Sequence, residues 1–334
     1  MKLIEAENVA ATETTLIVIS QGDIASKNQG DALLEKVSWE EIQSVEGHPS
    51  FKRQHVRMWW LPDGVLWEDD LDERWKDATG EQLAEVIFPS RHSASSGRPS
   101  LTMHPIGVPQ YKASSEVQYG GRAGTTVPPN QRISEWWKLF HKKKQDANAL
   151  SKFELTLEVT HHGPFLQTPS MFIEIGSTSE TWGDLNAASF LADVMIEGLG
   201  LETGFGIGSW DKYSAERDLV VITLGGGHYA PRANYIGLLP HVRLGHMLAS
   251  YALPFGEKEM PNDQWKNSLQ SALSSTKISY PGGRIVCMIE KKAFKGWQRD
   301  LLKEFCSELG LEILQRKDIE QFSESKLIEE RVKD

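Results

Sequence analysis

Apolar and polar positions alternate along this chain in short blocks, and the spacing changes from block to block. Six runs have strand character: TLIVIS (15–20), EVIFPS (85–90), FELTLEVT (153–160), MFIEIGS (171–177), DLVVITLG (218–225) and RIVCMIE (284–290). Helix-like patterns lie between and after them, over 179–199 and 296–309. The first of these places Ser179 at the N-cap, with Trp182 standing where a capping-box Glu would be expected. Strands alternating with helices predict an α/β fold, with a mostly parallel or mixed central sheet and helices on both faces.

Four of the runs end in polar or glycine-bearing loops: Gln21-Gly22-Asp23, Arg91-His92-Ser93, His161-His162-Gly163 and Gly225-Gly226-Gly227-His228. Open α/β sheets bind ligands beyond the carboxyl ends of their strands. Three histidine-bearing loops at such ends therefore predict one shared site.

In LTLEVTHHGP (155–164) a straight strand would put Leu155, Leu157, Val159 and His161 on one face and Thr156, Glu158, Thr160 and His162 on the other. Either the two histidines then do different jobs, or Gly163-Pro164 bends the chain and lets both rings converge. Glu174 sits mid-strand between Ile173 and Ile175, where a carboxylate is costly to bury unless it is paired or bound to a cation. It is read as a metal ligand or general base, against a solvent-facing residue on an edge strand. GGGHYAPR (225–232) fits neither a dinucleotide fingerprint nor a P-loop, but His228 directly after the glycines is a candidate for metal or acid/base work. SRHSASSGRPSLTMHP (90–105) brings Arg91, His92, Ser93, Arg98 and His104 together without a nucleophile elbow. Asp23 suits either a substrate amine or the cap of the next helix, and His246 either packing or a site. Trp59, Trp60, Trp67 and Trp75 lie near the acidic run Glu68-Asp69-Asp70 and read as a surface subregion with an aromatic face.

Composition narrows the chemistry. The 334 residues, 40% hydrophobic and 25% charged, suit a soluble protein read as a single α/β domain over 1–334. A net charge of -10 argues against a generally nucleic-acid-coating or membrane-binding surface. The stretch 111–152 departs from this: eight basic against three acidic side chains give it +5, and YGGRAGTTVPPN within it reads as a loop or insertion. It is either a solvated loop and helix or a phosphate-contacting surface. The two cysteines, Cys287 and Cys306, have no metal-site spacing, so any metal would be held by His and carboxylate. The opening MKLIEAENVAATETT shows no signal-peptide pattern, and no apolar run approaches the roughly 20 residues that span a bilayer. A cytoplasmic monomer is expected.

Read in order, SQGDIAS, SRHSASSGRPSLTMHP, THHGP, EIGSTSETW, GGGHYAPR and LGH resemble the archaeal and plant type of D-aminoacyl-tRNA deacylase. Each motif alone is modest; six in sequence order, from about residue 15 to 250, are specific. The chain departs from the pattern at Val108, where the family pattern has Asn. The resemblance implies an α/β fold similar to peptidyl-tRNA hydrolase and nucleoside phosphorylase. It also implies zinc-dependent hydrolysis of the ester between a D-amino acid and tRNA. It makes His92, His161, Glu174 and His228 the pool of metal ligands, and His162, Glu174 and His228 the catalytic candidates. Asp23, Arg91, His104 and the backbone of Gly225, Gly226 and Gly227 become substrate contacts, and Arg98, Lys142, Lys143 and Lys144 tRNA contacts. Two other readings share parts of the pattern. A zinc-dependent peptidase or amidohydrolase on small substrates leaves 111–152 without a use, and a non-catalytic tRNA-binding protein makes the histidines structural.

Overall fold

The computed structural model describes residues 14–110 and 117–332. The first part of the chain runs β1 (Thr14–Ser20), α1 (Ile24–Lys36), β2 (Glu40–Val45), β3 (His48–Arg53), β4 (Val56–Leu61), α2 (Leu71–Thr79), β5 (Leu83–Arg91) and β6 (Ser100–Pro105). A short pair, β7 (Gly107–Val108) and β8 (Thr125–Thr126), precedes α3 (Ile133–Lys144), β9 (Glu154–Leu157), β10 (Ser170–Gly176), α4 (Ser179–Trp182) and α5 (Leu185–Leu199). Then come α6 (Lys212–Arg217), β11 (Leu219–Leu224), α7 (Pro231–Ile236), β12 (Val242–Leu248) and the β13 (Gly256–Glu257)–β14 (Met260–Pro261) pair. The chain closes with α8 (Gln264–Ser279), β15 (Arg284–Ile289), α9 (Gly296–Glu308), β16 (Glu312–Ile313) and α10 (Arg316–Arg331).

Eight strands form a mixed sheet in the order β2-β3-β4-β1-β5-β10-β6-β9, and four form a parallel sheet, β12-β11-β15-β16. The mixed α/β class read from the sequence is the class observed. β1 is buried at all seven positions, as a central parallel strand should be. Its side chains divide by alternation: Ile17 and Ile19 enter one core, Leu16 and Val18 the other. The first core also takes in Val221, Leu244 and Val286 of the smaller sheet, so a single apolar cluster spans both sheets. Among the described residues no helix is long and apolar enough to cross a membrane.

Three local expectations are corrected. The helix expected over 179–199 is two, because the Asp184 carboxylate accepts from the Asn186 and Ala187 N–H groups and starts α5 anew after Gly183. The N-cap of α4 is Thr178 rather than Ser179. Trp59, Trp60 and Trp75 are core residues, and only Trp67 of that group is exposed.

The 111–152 stretch is partly integral to the core. Residues 111–116, with Lys112 and Glu116, lie outside the described residues. Beyond them, α3 buries Trp136, Trp137 and Phe140. Most of the stretch's positive charge is locally answered: Arg122 pairs with Asp70, Arg132 with Glu85, Lys138 with Glu135, Lys143 with Glu197 and Lys152 with Asp184.

Candidate active site

Strand register builds the floor of the site. On β10, Glu174 stands opposite Ser90 of β5 and Thr102 of β6. Both hydroxyls donate to its carboxylate, Ser90 Oγ at 2.9 Å and Thr102 Oγ1 at 3.3 Å. Two residues along, on the same face, His104 stacks flat on Phe172 with ring centroids 5.2 Å apart. Glu174 is therefore a buried residue of an interior strand, with none of the exposure of an edge position. Burial alone pushes its carboxyl up, but the imidazoles of His104, His92 and His162 around it bring it down to about 2.

The second wall comes from the segment after β9. That strand stops at Leu157, three residues short of the expected end, because 157–159 turn to pair with the loop after β11. Val159 N–H donates to the His228 carbonyl, Ala230 N–H to the Leu157 carbonyl, and Glu158 bridges Tyr229. Thr160 is pinned in turn to Met247 of β12. His162 then adopts φ 42°, in the left-handed region. The straight-strand alternation does not extend this far. The His161 and His162 rings lie 4.3 Å apart, and both meet His104, at 4.1 and 4.8 Å. The rings converge, as in the second possibility left by the sequence, but the turn lies at 157–162, ahead of Gly163-Pro164.

Glu158 is the centre of the cluster and was missed. It is fully buried, and its carboxylate is faced by His92 Nδ1 at 3.0 Å, His228 Nε2 at 2.7 Å and His161 Nε2 at 3.7 Å. Yet neither oxygen has a hydrogen bond of acceptable geometry. A buried carboxylate without donors is expensive, and the nitrogens that face it complete a His/carboxylate group able to hold a metal ion. The other histidines repeat this logic. Nδ1 of His104, His161 and His162 each meets a backbone carbonyl, of Pro105, Val159 and Gly163 respectively, at 2.8–2.9 Å. That leaves Nε2 to face the cluster, the way metal-ligating imidazoles are held. Burial drives His161 well below the ordinary range and His162 down to about 3, with the neighbouring imidazoles adding to it, so both are neutral at pH 7. Three triads have ligand atoms within 4.8 Å of one another: His104/His161/His162, His92/Glu158/His228 and His104/Glu158/Glu174. This donor set, imidazole nitrogens with carboxylate oxygens, fits a zinc-like ion.

A cavity of about 440 Å³ opens above the cluster. Of the residues singled out in the sequence, His92, His161, His162, Glu174, His228, Asp23 and Arg91 line it. Others do not. His104 is fully buried beneath, so it supports the cluster rather than touching substrate directly. Gly225, Gly226 and Gly227 are absent from the lining. The Gly225 N–H is committed to the Leu248 carbonyl at 2.8 Å, and the glycines serve as the turn that delivers His228. Asp23 caps α1, accepting from Ala25 at 2.9 Å, and also takes the Arg91 N–H at 2.8 Å, so its carboxylate is largely occupied by the protein. Arg98 lies on a neighbouring cavity beyond Tyr229, and Lys142–Lys144 are at the end of α3, away from the cluster's lining. Tyr229, also missed, places its hydroxyl 3.1 Å from His92 Nε2.

His246 is a packed residue. Its nitrogens meet Thr160 Oγ1 at 2.9 Å and Ser275 Oγ at 2.8 Å, and burial lowers the imidazole to about 3. His246→Leu takes one partner from each hydroxyl, while Thr160 keeps the Met247 N–H and Ser275 keeps the Ser271 carbonyl and Thr126, so urea unfolding should show a loss of only about 1 kcal/mol.

Sequence and structure comparisons agree with this picture. Residues 79–314 match the family model described as D-aminoacyl-tRNA deacylase. The D-aminoacyl-tRNA deacylase of Arabidopsis thaliana is 40% identical over 315 residues, covering 90% of this chain and 97% of that one. The enzyme of the same name from Pyrococcus horikoshii is 30% identical over 303 residues, covering 90% and 98%. Among solved structures, a conserved protein of unknown function superposes with a TM-score of 0.73 at 26% identity, covering 92% of this chain and 97% of that one. With a matched family model over most of its length and relatives aligned nearly end to end, the chain belongs to the D-aminoacyl-tRNA deacylase family.

Proposed function

We propose that the chain hydrolyses the ester between a D-amino acid and the terminal ribose of tRNA, with a zinc ion held by His92, Glu158 and His228 and further donors from His104, His161, His162 and Glu174. Family membership supports the reaction. The observation that carries the metal is Glu158: a buried carboxylate with no hydrogen-bond donor, ringed by imidazole nitrogens. Bound there, the ion would supply Lewis acidity and lower the pKa of water toward neutrality.

The chain's own residues do the rest. Ser90 and Thr102 hold Glu174 ionised and in place. The backbone carbonyls at Val159 and Gly163 fix the two adjacent imidazoles. His228, whose side chain is 35% exposed, borders the cavity, and the departing ribose oxygen takes its proton from water that enters there. Arg91 on the rim and the lysines at the end of α3 that have no ion-pair partner among the described residues, Lys142 and Lys144, are proposed phosphate contacts, which would make binding fall with salt.

The test is hydrolysis of D-Tyr-tRNA and L-Tyr-tRNA with and without a chelator. Rapid release from the D form only, lost on chelation and restored by zinc, is expected. Equal release from both enantiomers overturns the chiral reading; full activity after verified metal removal overturns the metal.

A further inference from the structure

The walls of the cavity differ in chemistry. One, from the ends of β1 and β5, carries Ser20, Asp23, Ser90, Arg91 and Ser93; the other, from two loops, carries Asp63, Gly64, Val65, Leu66, Trp67 and Tyr119. On that second wall Trp67 is 58% exposed and Tyr119 60% exposed. Trp67 is the only tryptophan among the exposed large apolar residues of the described part. Two large rings left open beside a catalytic cluster mark a surface kept for a ligand.

The backbone holds the two residues in place. Trp67 closes a tight turn, its N–H donating to the Gly64 carbonyl at 2.9 Å. The Tyr119 carbonyl accepts the Gly163 N–H at 2.9 Å, directly after His162. A Cβ on Gly120 would stand 1.6 Å from the Leu66 carbonyl oxygen, and one on Gly163 2.2 Å from the Gly121 nitrogen. The 119–121 loop, the 64–67 turn and the His162-Gly163 segment are thus interlocked at contact distances only glycine permits. Outside the contact, Arg122 braces the loop against Asp70 and lies over the Phe165 ring.

We propose that Trp67 and Tyr119 form a stacking platform for the adenine base of the tRNA terminal adenosine. The inference rests on the deacylase reading. His92, His161, His162, Glu174 and His228 open into the same cavity that Trp67 and Tyr119 line, so an ester held at the cluster carries its ribose and base into that cavity. Single-stranded nucleic acid ends are held chiefly by stacking on aromatic rings. On the polar wall the serines then fall to the amino-acid portion and Arg91 to phosphate.

The competing occupant of the aromatic wall is the amino-acid side chain, and the substrates distinguish the two, since adenine is common to all of them. Initial rates are measured on D-Tyr-tRNA and D-Ala-tRNA for Trp67→Ala and Tyr119→Ala, with Trp67→Phe and Tyr119→Phe as ring-retaining controls. The expected result is a fall in kcat/KM carried by KM, on the order of 10-fold, equal for the two substrates and largely restored by Phe. An effect confined to D-Tyr-tRNA assigns the wall to the side chain and overturns the proposal, as does an unchanged KM. A second arm needs no turnover: an unacylated CCA trinucleotide should quench tryptophan emission in the natural protein and not in Trp67→Phe. Equal quenching in both overturns stacking on Trp67. Absence of turnover on either substrate by the natural protein overturns the deacylase reading, while the quenching arm still decides the platform.

Discussion

Glu158→Gln is expected to lose bound metal and to cut deacylation by more than about 100-fold with the secondary structure unchanged. Groups that merely orient a metal ligand are worth about 10–100-fold, and Glu158 stands nearer the centre, with two imidazole nitrogens within 3.0 Å of its oxygens. Glutamine keeps the shape and removes the charge. That separates two effects, because the carboxylate is costly to the metal-free fold and valuable to the metal-bound one. A chelator should therefore lower the Tm of the natural protein and leave that of Glu158→Gln almost unmoved. The metal-free variant should melt no lower than the metal-free natural protein. Metal content by elemental analysis, paired with thermal scans, reads both. Retention of a full equivalent of metal with natural rates would remove Glu158 from the site.

Glu158 also shows where sequence reading runs out. Strands rich in Val, Ile and Leu were legible because a buried parallel strand is apolar on both faces: β1, β5, β10, β11 and β15 lie where the runs predicted, to within a residue or two. The polar strands β2 and β3 were not legible, because they pair at the sheet edge and bury only Val45 and Ser50. β6 was hidden for another reason. Its Thr102 and His104 look polar in sequence, and their burial depends on Glu174 and Phe172 across the register. The convergence of the loops bearing His92, His161 and His228 was legible from strand ends alone. The inward turn of Glu158 was not, because it follows from Leu157 and Val159 hydrogen-bonding to Ala230 and His228, in a loop about 70 residues on. The available signal was a carboxylate three residues before His161, flanked by Leu157 and Val159. Charge counting over the basic stretch could not tell the cations that have carboxylate partners, such as Arg122, Arg132 and Lys143, from Lys142 and Lys144, which have none among the described residues.

The largest effect on stability is expected from Arg132→Met, at about 3–5 kcal/mol. Arg132 Nε donates to both oxygens of Glu85, at 2.8 and 2.9 Å, and its Nη1 to the carbonyls of Gly198 and Ile207. Glu85 also accepts from Thr15 at 2.7 Å and Asn130 at 2.9 Å. The network ties β1 and β5 to the start of α3, all of it buried. Removing the guanidinium leaves an ionised carboxylate with two neutral donors and no countercharge. The cost is mostly that of the stranded charge, so Glu85→Leu combined with Arg132→Met should recover a substantial part of it. Acidity gives an independent check. Burial pushes the Glu85 carboxyl up, but Arg132 and the hydroxyl and amide donors hold it below its ordinary 4.5. A depressed folded-state pKa contributes stability that is present above 4.5 and lost as pH falls below it. Natural-protein stability should decline through that window, and the double variant should decline less. Thr15 and Glu85 lie at the amino ends of their strands, whereas the histidines gather at the carboxyl ends. Below its melting temperature Arg132→Met should therefore keep its metal and most of its kcat. Loss of metal in the folded variant would show that the two ends of the sheet are coupled.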